Sequence, residues 1–270
     1  MFGKGGVLVD LGLKGKNALI IASSQGLGKA VATELVKEGA NVMLTSRSED
    51  ALRKVQAELE LLGEGRVTYF PCDITKPEEI KALVKETQER LGTIHILLNN
   101  AGGPPSGGFE NFSDDQWQQS FELNLLSYVR IIREVLPDLK KEGGRIVNVA
   151  SMSVKTPITN LILSNTFRNG IVGLSKSLAE ELGPYNILVN VAAPGTIGTG
   201  RIDELNKDRA VKRNMSVEEI EKETAARIPL GRVGRPEEFG KAVAFLLSDT
   251  NTYITGSTIL VDGGMAKVIS

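Results

Sequence analysis

The run Ala22-Ser23-Ser24-Gln25-Gly26-Leu27-Gly28 sets small side chains between an apolar stretch and a segment of helical period. Such a junction suits a pyrophosphate, because the first amides of a helix lack an intrahelical partner and lie at the positive end of its dipole. Small side chains let the phosphate approach. A P-loop does not fit, since Gly28 and Lys29 are followed by Ala30, leaving no hydroxyl for magnesium. Glycine-rich turns before helices are common in α/β proteins, so the weight of this one depends on the rest of the chain.

Other chemistries are excluded more simply. Cys72 is the single cysteine and His95 the single histidine of 270 residues. That rules out an internal disulfide framework or a cysteine-cluster metal site. His95 lies in the apolar run Ile94 to Leu98 and reads as strand packing, and Cys72 as core; zinc or iron sites need several such ligands. No metal is expected. A formal net charge of −1 gives no basic excess for nucleic acid.

The elements that must position the junction follow from alternation. Short β-rich apolar runs alternate with longer segments of helical period, the pattern of βαβ units around a parallel sheet. Strands are expected at Asn17–Ala22, Asn41–Thr45, Arg66–Pro71, Thr93–Leu98, Arg145–Ala150, Asn186–Ala192 and Ser257–Val261. Helices are expected from Gly26, over Glu49–Leu62, Pro77–Leu91, Asp114–Lys141, Asn160–Leu182 and Ser216–Ala226. This makes an α/β, three-layer, doubly wound Rossmann domain of about seven strands over residues 14–270, preceded by an arm at 1–13.

The apolar stretch Val7–Val9 is too short for a signal sequence, and no run approaches the roughly 18 apolar residues of a membrane span. A cytoplasmic protein without membrane partners is expected. Residues 200–229 are rich in charge and follow the sixth strand, at the edge where open sheets place ligands. A substrate lid and a solvated surface excursion are both open readings.

Further motifs give the junction its meaning. Asn99-Asn100-Ala101-Gly102 follows the fourth strand, Asn124 lies in a helical segment, Pro194-Gly195 follows the sixth strand, and Val261-Asp262-Gly263-Gly264 runs on from the seventh. With these motifs residues 12–264 resemble the short-chain dehydrogenase/reductase family, in its β-ketoacyl reductase-like form. The family's first loop glycine is replaced by Ala22. The resemblance implies a nicotinamide dinucleotide held by Ala22, Ser24, Gln25, Gly26, Leu27 and Gly28, with Asp73 and Ile74 flanking the adenine. It also places Asn100, Ala101, Gly102, Pro194 and Gly195 around the cofactor, and Ile197 and Thr199 at the carboxamide. A small-molecule carbonyl or alcohol substrate, such as a 3-oxoacyl compound, and a homodimer or homotetramer are implied as well.

Cofactor choice is read at the end of the second strand, where an acidic residue would bond a ribose 2′-hydroxyl. Ser46 and Arg47 stand there. A guanidinium suits a 2′-phosphate through a forked, charge-assisted contact, so NADP(H) is expected over NAD(H).

The reaction centre departs from the family pattern of a tyrosine, a lysine four residues on and a serine. Residues i and i+4 share a helix face, which lets phenol and ammonium converge on one carbonyl. Gly144 to Ser151 matches the serine segment, giving Ser151, and Asn169 to Leu174 matches the segment after the lysine. Between them Ser164 occupies the tyrosine position and Arg168 the lysine position. Tyr69, Tyr128, Tyr185 and Tyr253 are followed four residues on by Asp73, Ile132, Val189 and Ser257, so Tyr-x-x-x-Lys is absent. A serine hydroxyl is a far weaker acid than a phenol, and arginine does not release its proton.

Two readings stand. In one, Ser151 and Arg168 polarise a carbonyl, Asn124 holds a water, and a water or Lys155 supplies the proton, with Arg168 also able to bind ribose. In the other, the chain binds NADP(H) without this chemistry, as a sensor or a partner subunit. A third, acid-base chemistry without net redox, has no support in the residues.

Overall fold

The apolar runs become strands covered on both faces. All five residues of β1 (Asn17–Ile21) are buried. In this computed structural model, which describes residues 10–269, α1 (Gly26–Lys37) leads to β2 (Asn41–Ser46), α2 (Glu49–Leu59), β3 (Val67–Pro71), α3 (Pro77–Leu91) and β4 (Ile96–Asn99). The chain continues through α4 (Asp114–Phe121), a π-helical turn (Glu122–Leu126), α5 (Ser127–Glu142), β5 (Gly144–Val149), α6 (Ile162–Leu182) and β6 (Ile187–Pro194). It ends with α7 (Gly200–Arg213), α8 (Val217–Ala226), α9 (Pro236–Leu246) and β7 (Thr258–Val261).

The strands form one parallel sheet in the order β3-β2-β1-β4-β5-β6-β7. Buried parallel strands read as continuous apolar runs, which is why their positions are visible in the sequence. The order reverses between β1 and β4, opening a crevice at the carboxyl ends of the strands. Val31 and Leu35 of α1 pack with Phe239 and Val243 of α9 on one face of the sheet. Leu83 of α3, Ile131 and Val135 of α5 and Ile171 of α6 cover the other. Each such buried side chain contributes roughly 1.5–3 kcal/mol of transfer free energy.

Several boundaries differ from expectation for identifiable reasons. The first strand stops at Ile21 because Ala22 turns into the left-handed region, at φ +52°. The helix expected over Asp114–Lys141 is interrupted by the π turn, whose one buried residue is Asn124. The helix expected from Asn160 starts at Ile162, since Asn160 has φ +61°. The helix expected to reach Leu62 ends at Leu59, leaving Leu61 and Leu62 exposed.

Helix α9 was not among the expected elements. Its start carries Pro236 and the first-turn acids Glu237 and Glu238, and Glu238 Oε2 accepts from the Arg235 amide at 2.7 Å. The charged stretch after β6 is two helices. The second begins where expected, with Ser216 Oγ accepting from the Glu219 amide at 3.2 Å and Glu219 returning the bond at 2.8 Å. Of the expected arm, residues 1–9 lie outside the described residues. Leu13 is buried, and the Leu11 carbonyl accepts from the Asp249 amide at 3.1 Å.

Candidate active site

At the nucleotide end the loop after β1 is fixed by backbone and small side chains. Ser23 is fully buried, its hydroxyl donating to the Ile20 carbonyl at 2.9 Å and accepting from the Thr45 amide at 2.9 Å. This ties the ends of β1 and β2 together. A Cβ on Gly28 would stand 2.3 Å from the Ala22 carbonyl oxygen, so only glycine lets α1 start this close to β1. The first turn of α1 has no side-chain cap and no acid, and Gln25 before it is exposed. Its amides are the open positive end that an anion needs. Asn100 Nδ2 donates to the Ala22 carbonyl at 3.4 Å, joining the loop after β4 to this junction.

Arg47 stands exposed just past β2 and forms no ion pair with the described residues. Its charge reaches Asp73. Burial raises that carboxyl, but bonds from the Thr75 amide (3.0 Å) and hydroxyl (2.7 Å), then the charges of Lys76 and Arg47, bring it below the ordinary carboxylate range. Ser46 is half-buried at the strand end and Ile74 is buried after β3. Between them Cys72 is buried, its thiol pushed up to about 12 by desolvation, so it is inert packing.

The far wall is the loop after β6. The Gly195 amide donates to the Val261 carbonyl at 3.0 Å, and a Cβ on Gly195 would meet that of Asp262 at 2.6 Å. Asp262 in turn accepts from the amides of Gly264 (2.9 Å) and Ala266 (2.8 Å). Ile197 is buried beside Gly234, and the Gly198 amide donates to the Gly234 carbonyl at 2.9 Å. Thr199 precedes α7 and lies 3.6 Å from where a Gly26 Cβ would be, so the first and sixth loops face one another. A cleft of about 240 Å³ there is lined by Gly26, Lys29, Thr199, Gly200 and Pro236, among others.

The reaction centre is held by side chains instead. Arg168 is 5 % exposed, and Nη1 donates to the Val149 carbonyl at 2.8 Å and to the Tyr128 hydroxyl at 3.1 Å. Nη2 donates to the Ala101 carbonyl at 3.2 Å. One guanidinium therefore joins the segment leading to Ser151, the loop bearing Asn100 and Gly102, and α5 one turn past Asn124. No carboxylate lies within ion-pair distance of it among the described residues. Ser151 Oγ accepts from the Ser153 amide at 3.2 Å, which leaves its hydroxyl hydrogen for another acceptor. Ser164 is buried on the same helix as Arg168.

Asn124 is 1 % exposed and both its amide atoms lack partners. A buried amide in that state calls for a water or a ligand. The π turn that presents it is a feature often met at functional sites. Gly170 allows α6 to approach this turn, since a Cβ there would meet Leu125 at 2.8 Å.

Buried polar residues with no expected role of their own complete the frame. Asn99 Nδ2 donates to Asn148 Oδ1 at 2.9 Å, Asn148 Nδ2 to Ser175 Oγ at 2.9 Å, and Ser175 Oγ to the Ile171 carbonyl at 2.7 Å. This buried chain sets the register of α6 against β4 and β5. Its signal was available, as asparagines inside the apolar runs of β4 and β5. His95, read as strand packing, lies just before β4, and its Nδ1 accepts from the Asn17 amide at 3.0 Å.

Residues 21–266 match the family model described as enoyl-(acyl carrier protein) reductase. The 3-oxoacyl-(acyl-carrier-protein) reductase FabG of Vibrio cholerae serotype O1 is 35% identical over 259 residues, covering 96% of this chain and 100% of that protein. Dehydrogenase/reductase SDR family member 4 of Sus scrofa is 35% identical over 94% of this chain and 88% of its own length. The crystal structure of L-sorbose reductase from Gluconobacter frateurii, complexed with NADPH and L-sorbose, superposes with a TM-score of 0.92 at 32% identity over 97% of this chain and all of that one. No helix among the described residues is long and apolar enough to cross a membrane. The doubly wound sheet, the uncapped α1 junction and these matches over nearly the whole chain together mean that it belongs to the short-chain dehydrogenase/reductase family of NAD(P)-dependent oxidoreductases.

Proposed function

We propose that the chain interconverts a carbonyl and an alcohol with NADP(H) in preference to NAD(H), through a reaction centre built on Ser151, Asn124 and Arg168. The observation that carries the reading is the buried Arg168 guanidinium, one turn of α6 past Ser164, with no carboxylate among the described residues within ion-pair distance. A buried cation without a counter-ion is costly unless a ligand uses it. Developing alkoxide charge is such a use, and fixed charges in dry sites are among the largest catalytic terms.

The residues present fit the cofactor. The α1 amides and small loop residues would hold the pyrophosphate, Arg47 a 2′-phosphate, Asp73 and Ile74 the adenine, and Ile197 and Thr199 the carboxamide. When bound, NADPH supplies the hydride received by the carbonyl carbon. The chain's own part is to polarise the oxygen and protonate it. The Ser151 hydroxyl donates to that oxygen, Arg168 offsets its charge, and Asn124 holds a water. The proton comes from that water or from Lys155, which follows the Met152–Val154 turn. FabG and L-sorbose reductase make 3-oxoacyl compounds and sugars the first substrates to try. The α7–α8 excursion, which begins at Gly200 in the lining of the cleft, serves as the substrate lid.

A homo-oligomer is part of the proposal. Phe167 of α6 packs edge-on to Trp117 at 5.7 Å and near Phe121 at 6.1 Å, while Phe109, 74 % exposed, lies 6.4 Å from Trp117. In the family this helix helps form the dimer contact.

The test is fluorescence titration with NADPH and NADH, followed by NADPH oxidation against ketones, β-ketoacyl thioesters and sugars. Arg168→Ala and Ser151→Ala should each lower kcat by roughly 10²-fold or more. Unchanged activity in both would refute the assigned roles. NADPH binding without turnover on any substrate would instead favour a sensor or partner subunit, a reading supported by Ser164 standing where a phenol would be.

A further inference from the structure

Tyr128 heads no Tyr-x-x-x-Lys motif, yet it is wholly buried against the reaction centre. Its hydroxyl donates to the Val149 carbonyl at 3.1 Å and accepts from Arg168 Nη1 at 3.1 Å. Arg168 Nη1 donates to that same carbonyl at 2.8 Å. Three groups from α5, α6 and the end of β5 thus close a small ring of hydrogen bonds. The Tyr128 proton is committed within it, and burial raises the phenol above its ordinary range despite the neighbouring guanidinium. Tyr128 is therefore not the missing acid.

The bookkeeping of donors shows what it does instead. A guanidinium has five N–H groups in a rigid plane. Both hydrogens of Nη1 are used, on Tyr128 and Val149, and one of Nη2 is used on Ala101. The Nε hydrogen and one Nη2 hydrogen, on nitrogens that share Cζ, have no acceptor among the described residues. Bonds to two carbonyls alone would leave the plane able to rock about the long side chain; a third acceptor on Nη1, carried by a different helix, fixes it. We propose that Tyr128 is a positioning residue that locks the guanidinium of Arg168 so that its unused N–H edge faces bound cofactor and substrate. Tyr128 and Arg168 then work as a unit, the phenol holding the guanidinium and the guanidinium meeting the ligand.

This inference rests on Arg168 being part of the site, so the experiment separates the two ideas. Tyr128→Phe keeps the ring and removes only the hydroxyl. It is measured alone and in an Arg168→Lys background, for NADPH Kd by fluorescence, for kcat and KM, and for thermal stability. Arginine-labelled NMR of the same proteins reads the rotation of the Arg168 guanidinium without any ligand. Tyr128→Phe should weaken NADPH binding or lower kcat by about fivefold, the scale of one lost hydrogen bond. The loss should shrink below about twofold when Arg168 is already lysine, because coupled residues are not additive. The slow-rotating Nη–H signals of Arg168 should average in Tyr128→Phe. A merely structural tyrosine would lower stability equally in both backgrounds, with no coupling in Kd or kcat and no change in the arginine signals, and that result overturns the proposal. If the unaltered chain does not bind NADPH, the functional reading fails, while the NMR comparison still decides whether Tyr128 locks Arg168.

Discussion

The two halves of the crevice are built by different means. The nucleotide half, between β1 and β2, depends on backbone: an uncapped helix start, a glycine pressed under a carbonyl, and amides pointing outward. The reaction half, between β5 and α6, is built of side chains, and the proposed roles of Arg168, Tyr128, Ser151 and Asn124 each rest on that residue's own polar atoms. Backbone sites tolerate a change of residue as long as the conformation survives, as Ala22 illustrates. Side-chain sites do not, because replacing a phenol by a serine removes the acid itself. On the proposed roles, Ser164 and Arg168 change mechanism, whereas Ala22 changes only local energy.

The largest effect should come from returning the reaction half to the pattern of its family. Ser164→Tyr combined with Arg168→Lys places phenol and ammonium one helical turn apart on α6. A positioned general acid contributes about 10²–10⁴-fold, so NADPH-dependent reduction of a 3-oxoacyl thioester should rise at least about 100-fold over the unaltered chain. A folded double variant that binds NADPH but is no faster would break the comparison. The limit on turnover would then lie outside α6.

The same division governs how far the sequence could be read. The sheet was legible strand by strand because buried parallel strands are unbroken apolar runs, and the uncapped junction was legible because small residues mark it. The π turn was not, since one inserted residue leaves the helical pattern of 114–141 intact while turning Asn124 inward. Helix α9 was not among the expected elements, although Pro236 and its first-turn acids mark a helix start. Ser164 and Arg168 were found by position against their flanks. Their environment was not, because Arg168 is held by Tyr128, 40 residues away, and by backbone carbonyls, which no sequence pattern displays.

A middle-sized effect tests whether the nucleotide half has any side-chain specificity. Arg47 is exposed and unpaired among the described residues, so removing it should leave the fold intact. Arg47→Ala should weaken NADPH binding about ten- to hundredfold, as expected for charge-assisted bonds of roughly 1.5–3 kcal/mol. NADH binding should change by less than about twofold. Equal loss of both cofactors would mean that Arg47 serves a group other than the 2′-phosphate, and the preference for NADP(H) would have to lie elsewhere.

The smallest effect should come from Ala22, where the comparison is sharpest. At φ +52° an alanine carries roughly 1–2 kcal/mol of strain that glycine does not. Ala22→Gly removes that strain, but it also gives the unfolded chain more freedom, which offsets about 0.4–1 kcal/mol. The net gain should be near 0.5 kcal/mol, a rise in Tm of about 1–2 °C for a chain of this size. NADPH affinity should stay within about twofold, because the amides proposed to meet the phosphate belong to Gly26, Leu27 and Gly28 and keep their positions. Ala22→Val makes the opposite case: a β-branched residue in the left-handed region should lower Tm by several degrees and weaken NADPH binding with it. If Ala22→Gly shifted affinity tenfold in either direction, the carbonyl that Asn100 bonds would be tuning the site, and the nucleotide half would depend on residue identity as the reaction half does.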